Sequence, residues 1–364
     1  MDREPMMGRE HGGPRPGELE DLGFDATDVW DFSVNINPYG PCPAVVDAIA
    51  AAPVHRYPDG DARAARGALA QLWNVPAAEV TIGNGAAELL WLLARTLARA
   101  GDAVVIAGPT FSEMATAARA FGAQVVEVTA RAENDFALDE RLLSETILRL
   151  DARVVYLCVP NNPTGTAVSV DRLAALAGQH PQVTFVIDQA FLSLSDLHAT
   201  LGARRPANAV LVRSLTKDHA IPGLRLGAVI ADPAVIQQLN SARPSWNTGT
   251  LVQAAAVAVA LPVAQAFVAA SRARMLSDRR KLEETFRARG YTTYPTCTTF
   301  FLVEVGDAAG LRGRLLREQR ILVRDCTSFG LPTLVRIGAQ PAAAQAALMK
   351  AWDLTVGSRT PPVP

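Results

Sequence analysis

Ser214-Leu215-Thr216-Lys217-Asp218-His219-Ala220-Ile221-Pro222-Gly223-Leu224-Arg225 lies between the apolar run Ala209 to Val212 and a second run from Leu226 to Ile230. It holds a lysine in a chain that otherwise avoids lysine. Of 35 basic residues, three are lysines (Lys217, Lys281 and Lys350) and the rest are arginines. Arginine supplies charge, salt bridges and phosphate contacts, but it stays protonated and cannot condense with an aldehyde. Lysine loses its proton when its site is tuned, and its amine forms Schiff bases. Lys281 and Lys350 stand in ordinary charged helical stretches. Lys217 is the residue that needs an explanation.

The flanking runs predict the architecture. Val154 to Val159, Val183 to Ile187, Ala209 to Val212 and Leu226 to Ile230 are continuously apolar, the pattern of strands covered on both faces of a largely parallel sheet. They alternate with amphipathic stretches such as Arg63 to Trp73, Ala86 to Ala98, Ser112 to Phe121 and Leu138 to Leu150, and with shorter strands at 80–82, 103–107 and 125–128. Beyond residue 251 the pattern changes to a charged helix over 272–289, strands at 300–305 and 321–324, and a helix over 342–352, which suits an α+β lobe. The expected organisation is an N-terminal arm (1–30), a large α/β domain (31–250) and a small α+β domain (251–364) to which the N-terminal segment contributes. Leu251 to Ala270 carries no charge, but it is Ala-rich and interrupted by Pro262, so it reads as a buried helix rather than a membrane span.

Composition narrows the class. Hydrophobic residues make up 49% and charged residues 20%, the balance of a globular enzyme. A formal net charge of −1 offers no field to recruit nucleic acid or an acidic membrane. Cys42, Cys158, Cys297 and Cys326 are far apart and lack zinc or disulfide spacing, which fits a reducing, cytoplasmic compartment. No apolar secretory segment is visible in residues 1–16.

Five functions required by aldehyde-cofactor chemistry each have a candidate near a predicted strand end, where α/β sheets bind ligands. Lys217 is the amine. Asp188 ends an apolar strand; an acid there either meets a cation, such as a protonated pyridine nitrogen, or is an ordinary strand-end cap. In Gly83-Asn84-Gly85-Ala86-Ala87-Glu88 the free N–H groups of Ala86 and Ala87 suit a phosphate at a helix start, with Ser214, Thr216 and Arg225 able to complete the cradle; the plain alternative is a tight turn. Phe111 is a ring platform or a core aromatic. Asn162, in the turn Asn161-Asn162-Pro163-Thr164-Gly165, can bind a ring hydroxyl oxygen. Arg336 is a carboxylate clamp or one more solvated arginine.

Taken in order, DFSVNINPYG (31–40), RYPDG (56–60), IGNGAAEL (82–89), PNNPTG (160–165), VIDQAF (186–191), SLTKDHAIPGLRLG (214–227) and VRIG (335–338) resemble the fold-type I, pyridoxal-phosphate-dependent class I/II aminotransferases over nearly the whole chain. The nearest branch combines histidinol-phosphate aminotransferases and threonine-phosphate decarboxylases. The resemblance implies a mostly parallel sheet between helices plus a smaller α+β domain, and pyridoxal 5'-phosphate on Lys217 as a Schiff base. It implies that Asp188 pairs the ring nitrogen, Asn162 meets the ring oxygen and the substrate, Phe111 stacks on the ring, and Ala86, Ala87, Ser214, Thr216 and Arg225 hold the phosphate. It further implies a homodimer with shared active sites, in which Tyr57 reaches the neighbouring subunit's phosphate. Arg336 falls on the α-carboxylate position. His11, Gly12, Asn35 and Arg324 resemble a phosphate-substrate pocket.

The expected function is transamination of an amino acid or phosphorylated amino compound in amino-acid metabolism. The alternative is decarboxylation of L-threonine O-3-phosphate in cobalamin biosynthesis, and a remote third reading is a non-catalytic binding protein. Three departures from the family pattern bear on this choice: Gln189 after Asp188, Asp218-His219 after Lys217, and Pro14-Arg15-Pro16 after Gly13. A dinucleotide-binding dehydrogenase is excluded because no G-x-G-x-x-G joins a strand to a helix.

Overall fold

The structure, a computed structural model, describes residues 12–198 and 205–357. Its first elements are α1 (Glu18–Asp21), β1 (Trp30–Asp31), α2 (Pro43–Ala50), α3 (Arg63–Trp73), β2 (Val80–Gly83) and α4 (Ala86–Leu97). There follow β3 (Ala103–Gly108), α5 (Glu113–Ala120), β4 (Gln124–Thr129), α6 (Glu140–Leu150), β5 (Val154–Cys158), α7 (Val170–Gln179) and β6 (Thr184–Asp188). The remainder are β7 (Ala209–Ser214), β8 (Gly227–Ile230), α8 (Pro233–Ser241), α9 (Thr250–Val259), α10 (Pro262–Ala288), β9 (Phe300–Glu304), α11 (Ala308–Gln319), β10 (Ile321–Leu322), β11 (Arg324–Asp325), β12 (Leu334–Gly338) and α12 (Ala342–Val356).

A seven-stranded sheet, ordered β2-β8-β7-β6-β5-β3-β4, forms the centre of the larger of two compact units, Ile36–Leu276 with Pro295–Thr299. From β4 to β7 every pairing is parallel, whereas β8 runs antiparallel to both β7 and β2. The reversal has a chain-level cause. Parallel neighbours need a crossover, usually a helix, but residues 215–226 turn back at the edge where β7 ends. The carboxyl ends of β2, β3, β5, β6 and β7 therefore share one edge with the amino end of β8.

Alternate residues of each strand point to opposite faces, and both faces are buried, as the continuous apolar runs predict. Val104, Tyr156, Val186 and Val212 pack with α4, α5 and α8. Val105, Leu157, Phe185 and Leu211 pack with α6 and α7. A third cluster joins α2, α3 and α9 to Val80, Ile82 and Ala228.

The stretch 251–270, expected as one helix, is two, with α9 and α10 meeting at a bend of 74°. Proline is well placed at the first position of α10, where its missing N–H leaves nothing unpaired. Among the described residues no single helix is long and apolar enough to cross a membrane. The two units divide within α10, after Leu276, and Val252, Ala255, Ala256 and Val259 of α9 are part of the large unit's core.

Among the described residues, the smaller unit comprises 12–35, Ser277–Tyr294 and 300–357. Its antiparallel sheet is ordered β11-β12-β9, and β1 pairs with β10 in parallel. The single strand expected at 321–324 is two short ones, which pair with different partners on either side of Val323. In the core, Phe286 meets Tyr291, Phe301 and Trp352 edge-on, with ring centroids 5.8, 5.9 and 4.7 Å apart.

Candidate active site

In the larger unit, a cavity of about 80 Å³ opens at the shared strand edge, and it gathers every expected cofactor residue except Tyr57. Lys217 lies on the β7–β8 connection. Its Nζ donates to Ser214 Oγ at 3.3 Å and lies 5.1 Å from the centre of the Phe191 ring. Dense surroundings push the proton affinity of its amine below that of an ordinary lysine, while the carboxylates of Asp188 and then Asp218 pull the other way. The loop is pinned from outside: Asn37 N–H donates to the Lys217 carbonyl at 2.8 Å, and Asn37 Nδ2 to the Asp218 carbonyl at 2.9 Å.

Asp188 ends β6 and is 1% exposed. Its Oδ1 accepts from Ala190 N–H at 2.9 Å and its Oδ2 from the Tyr156 hydroxyl at 3.0 Å. Burial raises its pKa above the usual aspartate value. Lys217, the Ala190 amide and Tyr156 offset part of that rise.

The start of α4 approaches β8 closely. A Cβ at Gly227 would lie 2.6 Å from Ala86 N, and one at Gly85 would lie 2.7 Å from Arg225 Nη2, so the guanidinium rests against the turn that ends in Ala86. Gly85 has φ +87°, a conformation that glycine adopts at little cost. Across the cradle, Ser214 Oγ and Thr216 Oγ1 are 3.0 Å apart. Glu88 in the first turn of α4 accepts from Asn84 N–H and, at 3.3 Å, from Asn247 Nδ2, which secures the loop. At the far side, Asn161 donates to Pro109 O at 2.9 Å and accepts from Thr110 Oγ1 at 2.8 Å, tying the turn that bears Asn162 to the one that bears Phe111.

This donor set suits pyridoxal phosphate. It supplies two helix-start N–H groups, two hydroxyls and a guanidinium for a dianion, a buried carboxylate for a ring cation, and an amine for an aldehyde. Sequence reasoning missed Tyr156, Cys158, Ala190 and Phe191 in or beside the cavity, as well as the clamp from Asn37. Of these only Tyr156 offered any signal, a hydroxyl inside an otherwise apolar strand, and it reads equally well as packing.

Asp218 and His219 are not solvated: they are 3% and 1% exposed. The Asp218 carboxylate accepts from Ser193 Oγ at 2.8 Å and from His219 N–H at 3.0 Å. Tyr57 lies outside the cavity, 81% exposed and stacked on Trp246 at 4.8 Å.

The remaining expected residues belong to the smaller unit, except His11, which lies outside the described residues. Arg324 and Arg336 are directly opposed on β11 and β12, and both are buried. Arg336 donates to Ser33 O at 2.6 Å, and Arg324 to Ser328 Oγ at 2.7 Å. Burial, reinforced by the nearby Arg324 charge, lowers the Arg336 pKa to about 10. Asn35 is 6% exposed, and its amide oxygen and nitrogen have no hydrogen-bond partner among the described residues. Gly12 packs so closely on Ser33 O that a side chain there would displace backbone.

Comparison with known proteins identifies the family. Histidinol-phosphate aminotransferase 2 of Ralstonia nicotianae is 35% identical over 336 residues, which cover 90% of this chain and 88% of that protein. The histidinol-phosphate aminotransferase of Sinorhizobium meliloti, solved in complex with pyridoxal-5'-phosphate, superposes with a TM-score of 0.85 at 24% identity and covers 97% of this chain and 96% of its own. The L-threonine-O-3-phosphate decarboxylase of Porphyromonas gingivalis gives a TM-score of 0.74 at 26% identity, covering 89% of this chain and 98% of its own. The family model for aminotransferase class I and II matches residues 27–352. The chain therefore belongs to the class I and II aminotransferases, the pyridoxal-phosphate-dependent transaminases to which its motifs point.

Proposed function

We propose that this transaminase acts on a phosphorylated amino compound of the histidinol-phosphate type, with Lys217 as the residue that both holds the cofactor and moves the proton. The carrying observation is that Lys217, Asp188, Asn162 and the phosphate cradle meet in one cavity. When bound, pyridoxal phosphate supplies an aldehyde that exchanges its lysine for the substrate amine, and a ring that accepts the electron pair left when the substrate's α C–H bond breaks.

The chain's own residues do the rest. Burial keeps the Lys217 amine available as a base, so Nζ would take the proton from the substrate's α-carbon and deliver it across the intervening nitrogen to the carbon of the cofactor's aldehyde. Asp188, held by Ala190 N–H and Tyr156, would pair with the ring nitrogen and hold its positive charge. Ala86, Ala87, Ser214, Thr216 and Arg225 fix the cofactor phosphate. Arg336 takes the acidic group of an amino-acid substrate, and Arg324, Asn35 and Gly12 take the substrate phosphate. Two arginines on one sheet face repel each other, and a dianion relieves that cost. We further propose a cytoplasmic homodimer. Four free cysteines, three of them buried, suit a reducing compartment, and the exposed Tyr57–Trp246 pair suits an interface with a second copy.

Decarboxylation is the second reading, supported by the resemblance to the Porphyromonas gingivalis enzyme. Purified protein given L-histidinol phosphate and 2-oxoglutarate should form glutamate, and borohydride followed by peptide mapping should label Lys217. Carbon dioxide release from L-threonine O-3-phosphate without glutamate formation from any amino donor would overturn the first reading.

A further inference from the structure

Tyr156 is a phenol inside the five-residue, wholly buried strand β5, and it is fully buried itself. Its position explains its length. In the β5–β6 register Tyr156 stands opposite Val186, and Cys158 opposite Asp188. All four residues share one sheet face, so Tyr156 and Asp188 are diagonal neighbours, a separation that a long aromatic side chain can bridge. The hydroxyl arrives at Asp188 Oδ2, 3.0 Å away, while Ala190 N–H holds Oδ1. A leucine or valine would fill the same layer of the core without touching the carboxylate. Here the ring fills the layer and its oxygen is spent on Asp188.

We infer that Tyr156 is a positioning residue for the cofactor ring: by donating to Asp188 Oδ2 it fixes the carboxylate's orientation and favours its charged form, and so sets how tightly the ring nitrogen is held. Two fixed donors leave the carboxylate little rotational freedom. A hydrogen bond to a carboxylate stabilises its ionised form. In so dry a site that preference decides whether Asp188 faces the ring as an anion or as a neutral acid. Tyr156 is not among the residues that line the cavity, so its proposed influence on the cofactor runs through Asp188, which is.

The inference rests on the cofactor reading above, and two probes separate their failures. Tyr156→Phe removes one oxygen and keeps the ring in the core; equal melting midpoints of the apoproteins verify that the fold is retained. Each apoprotein is titrated with pyridoxal phosphate and with its carbocyclic analogue, in which C–H replaces the ring nitrogen. Tyr156→Phe is expected to weaken binding of pyridoxal phosphate on the order of tenfold, the usual effect of losing one hydrogen bond to a charged group, and to leave binding of the analogue within twofold of wild type. Equal weakening of both ligands, or weakening of neither, would overturn the inference. If Tyr156→Phe melts early, the same comparison is made in the Asp188→Asn background. There the further loss of the phenol should cost no extra cofactor affinity, and an additive loss would overturn the inference. If borohydride leaves wild-type Lys217 unlabelled, the cofactor reading itself has failed.

Discussion

Glu18 binds Arg312 through both carboxylate oxygens, at 2.6 and 2.7 Å, and the guanidinium holds its pKa near 2 instead of the usual 4.5. A carboxylate held low in the folded state stabilises the fold fully above its unfolded value. That contribution fades as pH falls from about 4.5 toward 2. After allowance for the pair's partial solvent access, Glu18→Gln should cost about 1–2 kcal/mol at pH 7. Urea titrations of wild type and variant should differ by that amount at pH 7 and converge near pH 2; a difference that does not vary with pH would refute the assignment. The candidate residues in and around the cavity were legible to different degrees. Lys217 stood out because arginine is used almost everywhere else, and Asp188 because an acid ends an apolar run. Tyr156 did not stand out, because a tyrosine in such a run reads equally well as packing, and only the register places its hydroxyl on a carboxylate.

At the scale of elements, the contact that matters most is between β8 and the start of α4. Gly227→Ala would put a methyl group 2.6 Å from Ala86 N, against backbone that cannot rotate away. The expected result is a cofactor dissociation constant raised at least tenfold and a melting midpoint lowered by several degrees. Gly223→Ala, which meets nothing within 4 Å, serves as the neutral control. Normal loading of Gly227→Ala would mean that the cradle does not need this close approach. Strands and helices with one clear period were legible almost to the residue, as α3 (Arg63–Trp73) is. The break between α9 and α10 was marked by Pro262, but its size was not legible, because an alanine-rich run gives no periodicity to reveal a bend of 74°. Nor could the antiparallel course of β8 be read, since the same apolar run suits either direction and only the length and shape of the preceding loop decide.

For the molecule as a whole, the proposed pairing of two copies has a direct test. Sedimentation should give twice the mass of 38.7 kDa. Trp246→Ala, which removes the partner on which exposed Tyr57 stacks, should shift the mass toward the monomer and weaken cofactor retention on dilution. A wild-type monomer would refute the shared-site reading. The α/β class and the appended α+β lobe were legible from the change in pattern near residue 250. In the structure α9, lacking charge, packs as core of the larger unit. One division has a lasting consequence. The cavity with Lys217 belongs wholly to the larger unit, whereas Arg324 and Arg336 belong to the smaller one. On the roles proposed for these arginines, heredity could rewrite the stretch around 324–336, and with it the choice of metabolite, while every residue lining the vitamin-holding cavity stays as it was.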